Sequence, residues 1–136
     1  MNQVQIVAPD FIAQTWSKVE PFLKNGIETG VNDCTIEQLK TILIRGQQTL
    51  LVSVNDNEIN GAMTIEVFSS PNQRVALITS LGGRGVVNQE TFAQVEEWAR
   101  AQGATKVRAW ACEAQAKLYK QKSGFTTTRY VVEKML

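Results

Sequence analysis

Ser80-Leu81-Gly82-Gly83-Arg84-Gly85-Val86-Val87-Asn88 joins an apolar strand to an amphipathic helix through a glycine-rich turn. Glycine lets a backbone approach a ligand closely, and the first N–H groups of a helix are unpaired within it and sit at the positive end of its dipole. Such a junction is a candidate cradle for an anion, a phosphate above all. Upstream, Arg74 to Leu81 reads as a strand with the apolar centre Val75-Ala76-Leu77-Ile78. Downstream, Asn88 is a good N-cap, Phe92, Val95, Trp98 and Ala99 recur at helical spacing, and Gly103 marks a stop. Thr105 to Ala111 then reads as another strand. A strand–helix–strand unit of this length suits a right-handed crossover between parallel strands.

The rest of the chain extends the pattern on both sides. Val4 to Val7 reads as a short strand, and a first helix carries Phe11, Ile12, Trp16, Val19, Phe22 and Leu23 at helical spacing. Pro21 is expected to kink or end it near Glu20, because its ring removes a donor and crowds the preceding turn. Thr35-Ile36-Glu37-Gln38 matches a capping box that opens a second helix, with Gly46 as its stop. Thr49 to Val54 and Ile59 to Phe68 form a hairpin around Asn55-Asp56-Asn57-Glu58, the second strand being interrupted at Gly61. Beyond Ala111, Ala114 to Ser123 reads as a short helix closed by Gly124, and Phe125 to Val132 as a final strand. The expected order is βααβββαβαβ, an α+β fold in three α/β/α layers, with residues 1–136 forming a single domain.

Composition narrows the chemistry. The chain has 136 residues, 43% of them hydrophobic, enough for one proper core. A formal charge of +1 gives no footprint for nucleic acid or an anionic membrane. No apolar run reaches a bilayer's width, and no signal-peptide pattern opens the chain, so a cytoplasmic protein is expected. With no His and only Cys34 and Cys112, a Cys/His zinc site and a Ser-His or Cys-His nucleophile are excluded, and no metal is expected. The two cysteines read as reduced structural residues.

The element order, the helix phrase from Phe92 to Ala104 and the later Ala116-Lys117-Leu118-Tyr119-Lys120-Gln121-Lys122-Ser123-Gly124-Phe125 resemble the GCN5-related N-acetyltransferase (GNAT) family over nearly the whole chain. Within it the chain looks like the short, diverged members of tailed phages, which would place it in a host cytoplasm or a virion. The resemblance implies a mixed central sheet whose strands splay at a cofactor cleft. It also implies transfer of an acyl group from acetyl-CoA or another acyl-CoA to an amine, borne by a small molecule or a protein. The backbone of Ile78, Thr79, Ser80 and Leu81 would then face the pantetheine arm. Gly82, Gly83, Arg84, Gly85, Val86, Val87 and Asn88 would supply phosphate donors.

The family's turn motif is Gln/Arg-x-x-Gly-x-Gly/Ala, and two registers stay open. Aligned on Trp98, its leading residue falls on Gly83 and its glycine positions on Val86 and Asn88. Aligned on the glycines, it covers Ser80 to Gly85, Ser80 replaces the Gln/Arg, and Arg84 is free to grip phosphate. The family's acid is a tyrosine four residues before the Gly of its Gly-Phe pair, a position held here by Lys120. Tyr119 lies one residue early, and on an ideal helix that turns the phenol by about 100°, away from the thiolate unless the helix contains a bulge; packing against Leu118 and Phe125 is the plain alternative to an acid role.

As general bases, Glu113 and Glu66 are the carboxylates to test, each with an ordinary surface or strand charge as the plain alternative. Trp16 and Trp98 read as core packing, while Trp110 shares a strand face with Arg108. Two other functions stand beside acyl transfer. One is a catalytically degenerate GNAT-fold binding or structural protein, such as a virion or host-interaction component. The other, the weakest, is a nucleic-acid-associated modifier using Arg74, Arg84, Lys106 and Arg108. An exposed edge strand over Phe125–Val132 would invite a homodimer.

Overall fold

A computed structural model describes residues 2–29 and 33–136. Strand β1 (Gln3–Val7) leads through a 3₁₀ turn (Pro9–Phe11) into α1 (Ile12–Thr29) and α2 (Ile36–Ile44). Strands β2 (Thr49–Asn55), β3 (Glu58–Ser70) and β4 (Gln73–Gly83) follow, then α3 (Gln89–Ala101), β5 (Lys106–Ala109) and α4 (Glu113–Ser123). The five strands form one open sheet in chain order. Neighbours are antiparallel from β1 to β4, and β5 runs parallel to β4 after the α3 crossover.

Local signals set most boundaries. Thr35 Oγ1 accepts from Gln38 N at 3.1 Å, while Thr35 N donates to Gln38 Oε1 at 2.9 Å, the reciprocal pair that starts α2. Asp56 and Asn57, at φ of 52° and 64°, close the β2–β3 hairpin, a conformation that these two residue types tolerate. Asn88 Oδ1 accepts from Thr91 N at 2.8 Å and caps α3. Gly124, at φ 72°, closes α4.

Two apolar clusters sandwich the sheet. Ile12, Trp16, Val19 and Leu23 of α1 pack with Leu39 and Leu43 of α2 against Leu50, Val52 and Ala62. On the opposite face Phe92, Val95 and Ala99 of α3 and Tyr119 of α4 cover Leu51, Met63, Ile65, Ala76 and Ile78. Alternation along β3 sends Ala62 to one face and Met63 and Ile65 to the other, as a strand buried on both sides requires. Each fully buried side chain of this kind contributes about 1.5–3 kcal/mol. No helix among the described residues is long and apolar enough to cross a membrane.

The structure corrects several expectations. Helix α1 continues through Pro21 to Thr29. Pro21 is exposed, so the missing donor falls on the solvent side, and burial of Val19, Leu23 and Ile27 holds the helix together beyond it. Strand β3 is continuous across Gly61. Its irregularity is a register shift against β2 at Ser53/Val54 that leaves Asn60 as the extra residue. Phe125 to Val132 forms no strand: residues after Ser123 are in neither helix nor strand, and the observed order is βααβββαβα apart from the 3₁₀ turn. A segment rich in Thr and Val stays irregular when no ladder engages its main-chain groups. The sheet therefore ends at β5, and the edge strand expected to support a homodimer is absent. Cys112 is exposed at the start of α4, whereas Cys34 is half-buried with its thiol pKa raised by burial and then by Asp33.

Candidate active site

Strands β4 and β5 are paired only from Val75↔Lys106 to Ile78↔Ala109. At that point the β3–β4 register shifts: Ile65 faces Ile78 but Thr64 faces Ser80, so Thr79 is an extra residue in β4. A bulge bends its strand and increases the local twist, which turns the end of β4 away from β5. The bulge is pinned from the α1/α2 side. Thr79 Oγ1 donates to Gln48 Oε1 at 2.7 Å, which leaves the Thr64 hydroxyl, also 2.7 Å away, to donate to Thr79. Ser80 Oγ donates to the Leu23 carbonyl at 3.1 Å and ties β4 to α1.

The parting strands open a cavity of about 220 Å³. β4 lines it from Ile78 to Gly83, α1 contributes Asn25, Gly26 and Thr29, and α4 contributes Gln115, Leu118 and Tyr119. Val86, Val87 and Trp110 complete it. Because α1 and α4 cover opposite faces of the sheet, the opening is a slot that passes between β4 and the chain leaving β5. Gln115 spans it: its Oε1 accepts from Cys112 N at 3.2 Å and its Nε2 donates to Thr29 Oγ1 at 3.4 Å.

The glycine stretch is used differently from the sequence expectation. β4 extends through Gly82 and Gly83, which pair with Ala62 and Gly61. A Cβ on Gly82 would lie 2.0 Å from the Phe22 carbonyl oxygen, and one on Gly26 would lie 2.6 Å from the Leu81 carbonyl oxygen, so both glycines admit α1 to the strand. Gly83, at φ 124°, sits against Asn60 and Gly61. Only Gly85, at φ 64°, lies in open space. Its carbonyl accepts from the side-chain amides of Asn88 and Asn2, which hold the turn closed ahead of α3. Among the described residues no internal acceptor engages the main-chain N–H groups from Arg84 to Asn88. The Arg84 side chain is exposed beside them.

Tyr119 is 6% exposed. Its ring meets Phe92 edge-on at 5.8 Å and Phe125 at 4.9 Å, and burial raises its pKa well above the ordinary tyrosine value. Tyr119 is the buried residue of α4 and lines the slot, while Lys120, at the family position, is exposed. Glu113, in the first turn of α4, is exposed, and Glu66 is half-buried opposite Leu77 on β3. Neither is among the residues that line the cavity. Asn25, Thr29 and Gln115 are lining residues that the sequence reading passed over. Gly26 inside a helix, a costly placement, was the available signal.

No protein-family profile and no curated protein sequence matches the chain. Solved structures do. An aminoglycoside acetyltransferase from an uncultured soil metagenomic sample superposes with a TM-score of 0.71 at 16% identity, covering 99% of this chain and 95% of its own. A predicted acetyltransferase with acetyl-CoA from Clostridium acetobutylicum gives 0.67 at 16%, covering 99% and 96%. A ribosomal-protein-alanine N-acetyltransferase from Brucella melitensis biovar Abortus 2308 gives 0.68 at 10%, covering 100% and 98%. The fold is that of the GNAT acetyltransferases. At these identities the GNAT likeness concerns architecture, and the narrower likeness to phage members finds no support among these structures. The slot itself opens at a local device, the Thr79 bulge.

Proposed function

We propose that this chain is an acyl-CoA-dependent N-acyltransferase, most simply an acetyltransferase. One observation carries the reading. The slot opened by the Thr79 bulge brings the unpaired edge of β4, the donor-rich turn before α3 and the Tyr119 phenol to one place. These residues fit a CoA thioester. Thr79 to Leu81 present main-chain groups that have lost a β5 partner and suit an amide-bearing arm, while Gly85 to Asn88 and Arg84 offer donors to a diphosphate. The thioester supplies an activated acyl group. A β4 N–H beside the bulge would stabilise negative charge developing on the carbonyl oxygen. Tyr119, kept protonated by burial, would give its proton to the departing sulfur.

A second reading, a protein that holds acyl-CoA without transferring it, is favoured by the position of Glu66 and Glu113 outside the slot. Both readings predict stabilisation by coenzyme A. At free ligand one hundredfold above its dissociation constant the gain is about 2.7 kcal/mol. For a domain of this size that raises the melting temperature by roughly 8–10 °C. An unchanged melt refutes both readings, while a shift without free-thiol release over a broad amine panel leaves the second.

A further inference from the structure

Resting on the acyl-transfer reading, we propose that the acceptor is a weakly basic amine that enters the slot already unprotonated, with an aromatic amine as the substrate class. Among the described residues every side chain lining the slot is uncharged: amides and hydroxyls at Asn25, Thr29, Thr79, Ser80 and Gln115, the Tyr119 phenol, and otherwise apolar groups or glycine. The chain has no histidine anywhere, and the four residues outside the described set, Met1, Gly30, Val31 and Asn32, carry no carboxylate. The ionisable groups on the surrounding elements stand outside the lining. Glu28 on α1, Arg84 in the turn, and Glu113, Lys117 and Lys120 on α4 are exposed, and Arg108 on β5 and Glu66 on β3 are half-buried.

An alkylammonium ion meets two obstacles in such a site. An uncharged, partly closed environment disfavours the cation, and no lining group takes its proton. With a pKa near 10.4, an alkylamine is unprotonated at pH 7 only about once in 2,500 molecules. An aromatic amine titrates well below neutrality and is neutral at pH 7. It also matches the rim. Trp110 and Leu118, 37% and 48% exposed, offer flat and apolar surface, and the Asn25 and Thr29 oxygens can accept the two N–H groups of a neutral amine.

The step balances within these groups. The nitrogen lone pair forms the new C–N bond, and the C–S bond breaks with its electron pair on sulfur. Sulfur takes the Tyr119 proton, and the phenolate recovers the proton that nitrogen sheds. The products are an amide and a free thiol.

The test compares two isomers of equal size, para-toluidine and benzylamine, with the full chain and acetyl-CoA. Thiol release is followed from pH 6 to 9, after acetyl-CoA binding has been measured by thermal shift. Para-toluidine is expected to turn over with a flat pH profile. Benzylamine, almost wholly protonated at pH 7, should show a kcat/KM that rises about tenfold per pH unit from pH 6 to about 8.5, following its free-base fraction. Benzylamine turning over with a flat pH profile reveals an internal base and overturns the proposal. Acetyl-CoA binding with no turnover of para-toluidine overturns it as well. No acetyl-CoA binding removes the acyl-transfer reading beneath it, and that arm keeps the two failures apart.

Discussion

Replacing Gly82 with alanine probes the contact that seats α1 on β4. The added Cβ would lie 2.0 Å from the carbonyl oxygen of Phe22, 2.7 Å from its carbonyl carbon and 3.0 Å from its Cα, all main-chain atoms in the middle of α1. No side-chain rotation relieves such a clash. The helix must recede by well over an ångström, against the bond from Ser80 Oγ to the Leu23 carbonyl and the packing of Val19, Leu23 and Ile27. Overpacking of this severity costs about 3 kcal/mol, which lowers the melting temperature by roughly 10 °C in a domain of this size. Because α1 also carries Asn25 and Thr29 into the cavity, coenzyme A affinity should fall with stability. The control is Gly85→Ala. Its Cβ meets nothing within 4 Å, and only the left-handed backbone at φ 64° opposes it, at about 1 kcal/mol. Urea denaturation of both variants measures the difference. A Gly82→Ala protein within 0.5 kcal/mol of the parent would refute the account of α1 and β4 in contact through two glycines.

Tyr119→Phe should lower turnover by about a hundredfold or more while leaving coenzyme A binding intact. Burial raises the Tyr119 pKa, so above the ordinary value near 10 the unfolded chain loses a proton that the folded chain keeps; stability present below pH 10 is therefore lost as pH rises, and Tyr119→Phe should flatten that decline in urea midpoints. Residues 126–136 are all exposed, and deleting 127–136 should leave the melting temperature within about 2 °C of the parent. A larger loss would show that this segment is paired in solution.

What the sequence made legible is what neighbours in the chain decide. Thr35 with Gln38, Asn88 with Thr91, Asp56-Asn57 and Gly124 each act within a few residues, and each boundary they mark is where it was expected. The fold class followed from their order. What depends on distant partners was not legible. Phe125 to Val132 has strand composition, but a strand exists only where another edge meets it. Gly82 and Gly83 look like a ligand cradle until α1 and β3 are seen to occupy the space a side chain would need. Tyr119 was placed by counting along an ideal helix, whereas its direction is set by Phe92 and Phe125. Asn25 and Thr29 are neighbours one turn apart on α1, but nothing in the sequence brings Gln115 of α4 to Thr29 across the slot.

The central claim is that the free edge of β4 at the Thr79 bulge and the donors ahead of α3 together hold an acyl-CoA. Amide-resolved NMR during a coenzyme A titration tests it most directly. Saturable shifts concentrated on the N–H groups of Thr79 to Leu81 and Gly85 to Asn88 are the predicted result. Binding that leaves those amides unmoved and perturbs another surface, or no binding at all, would contradict it.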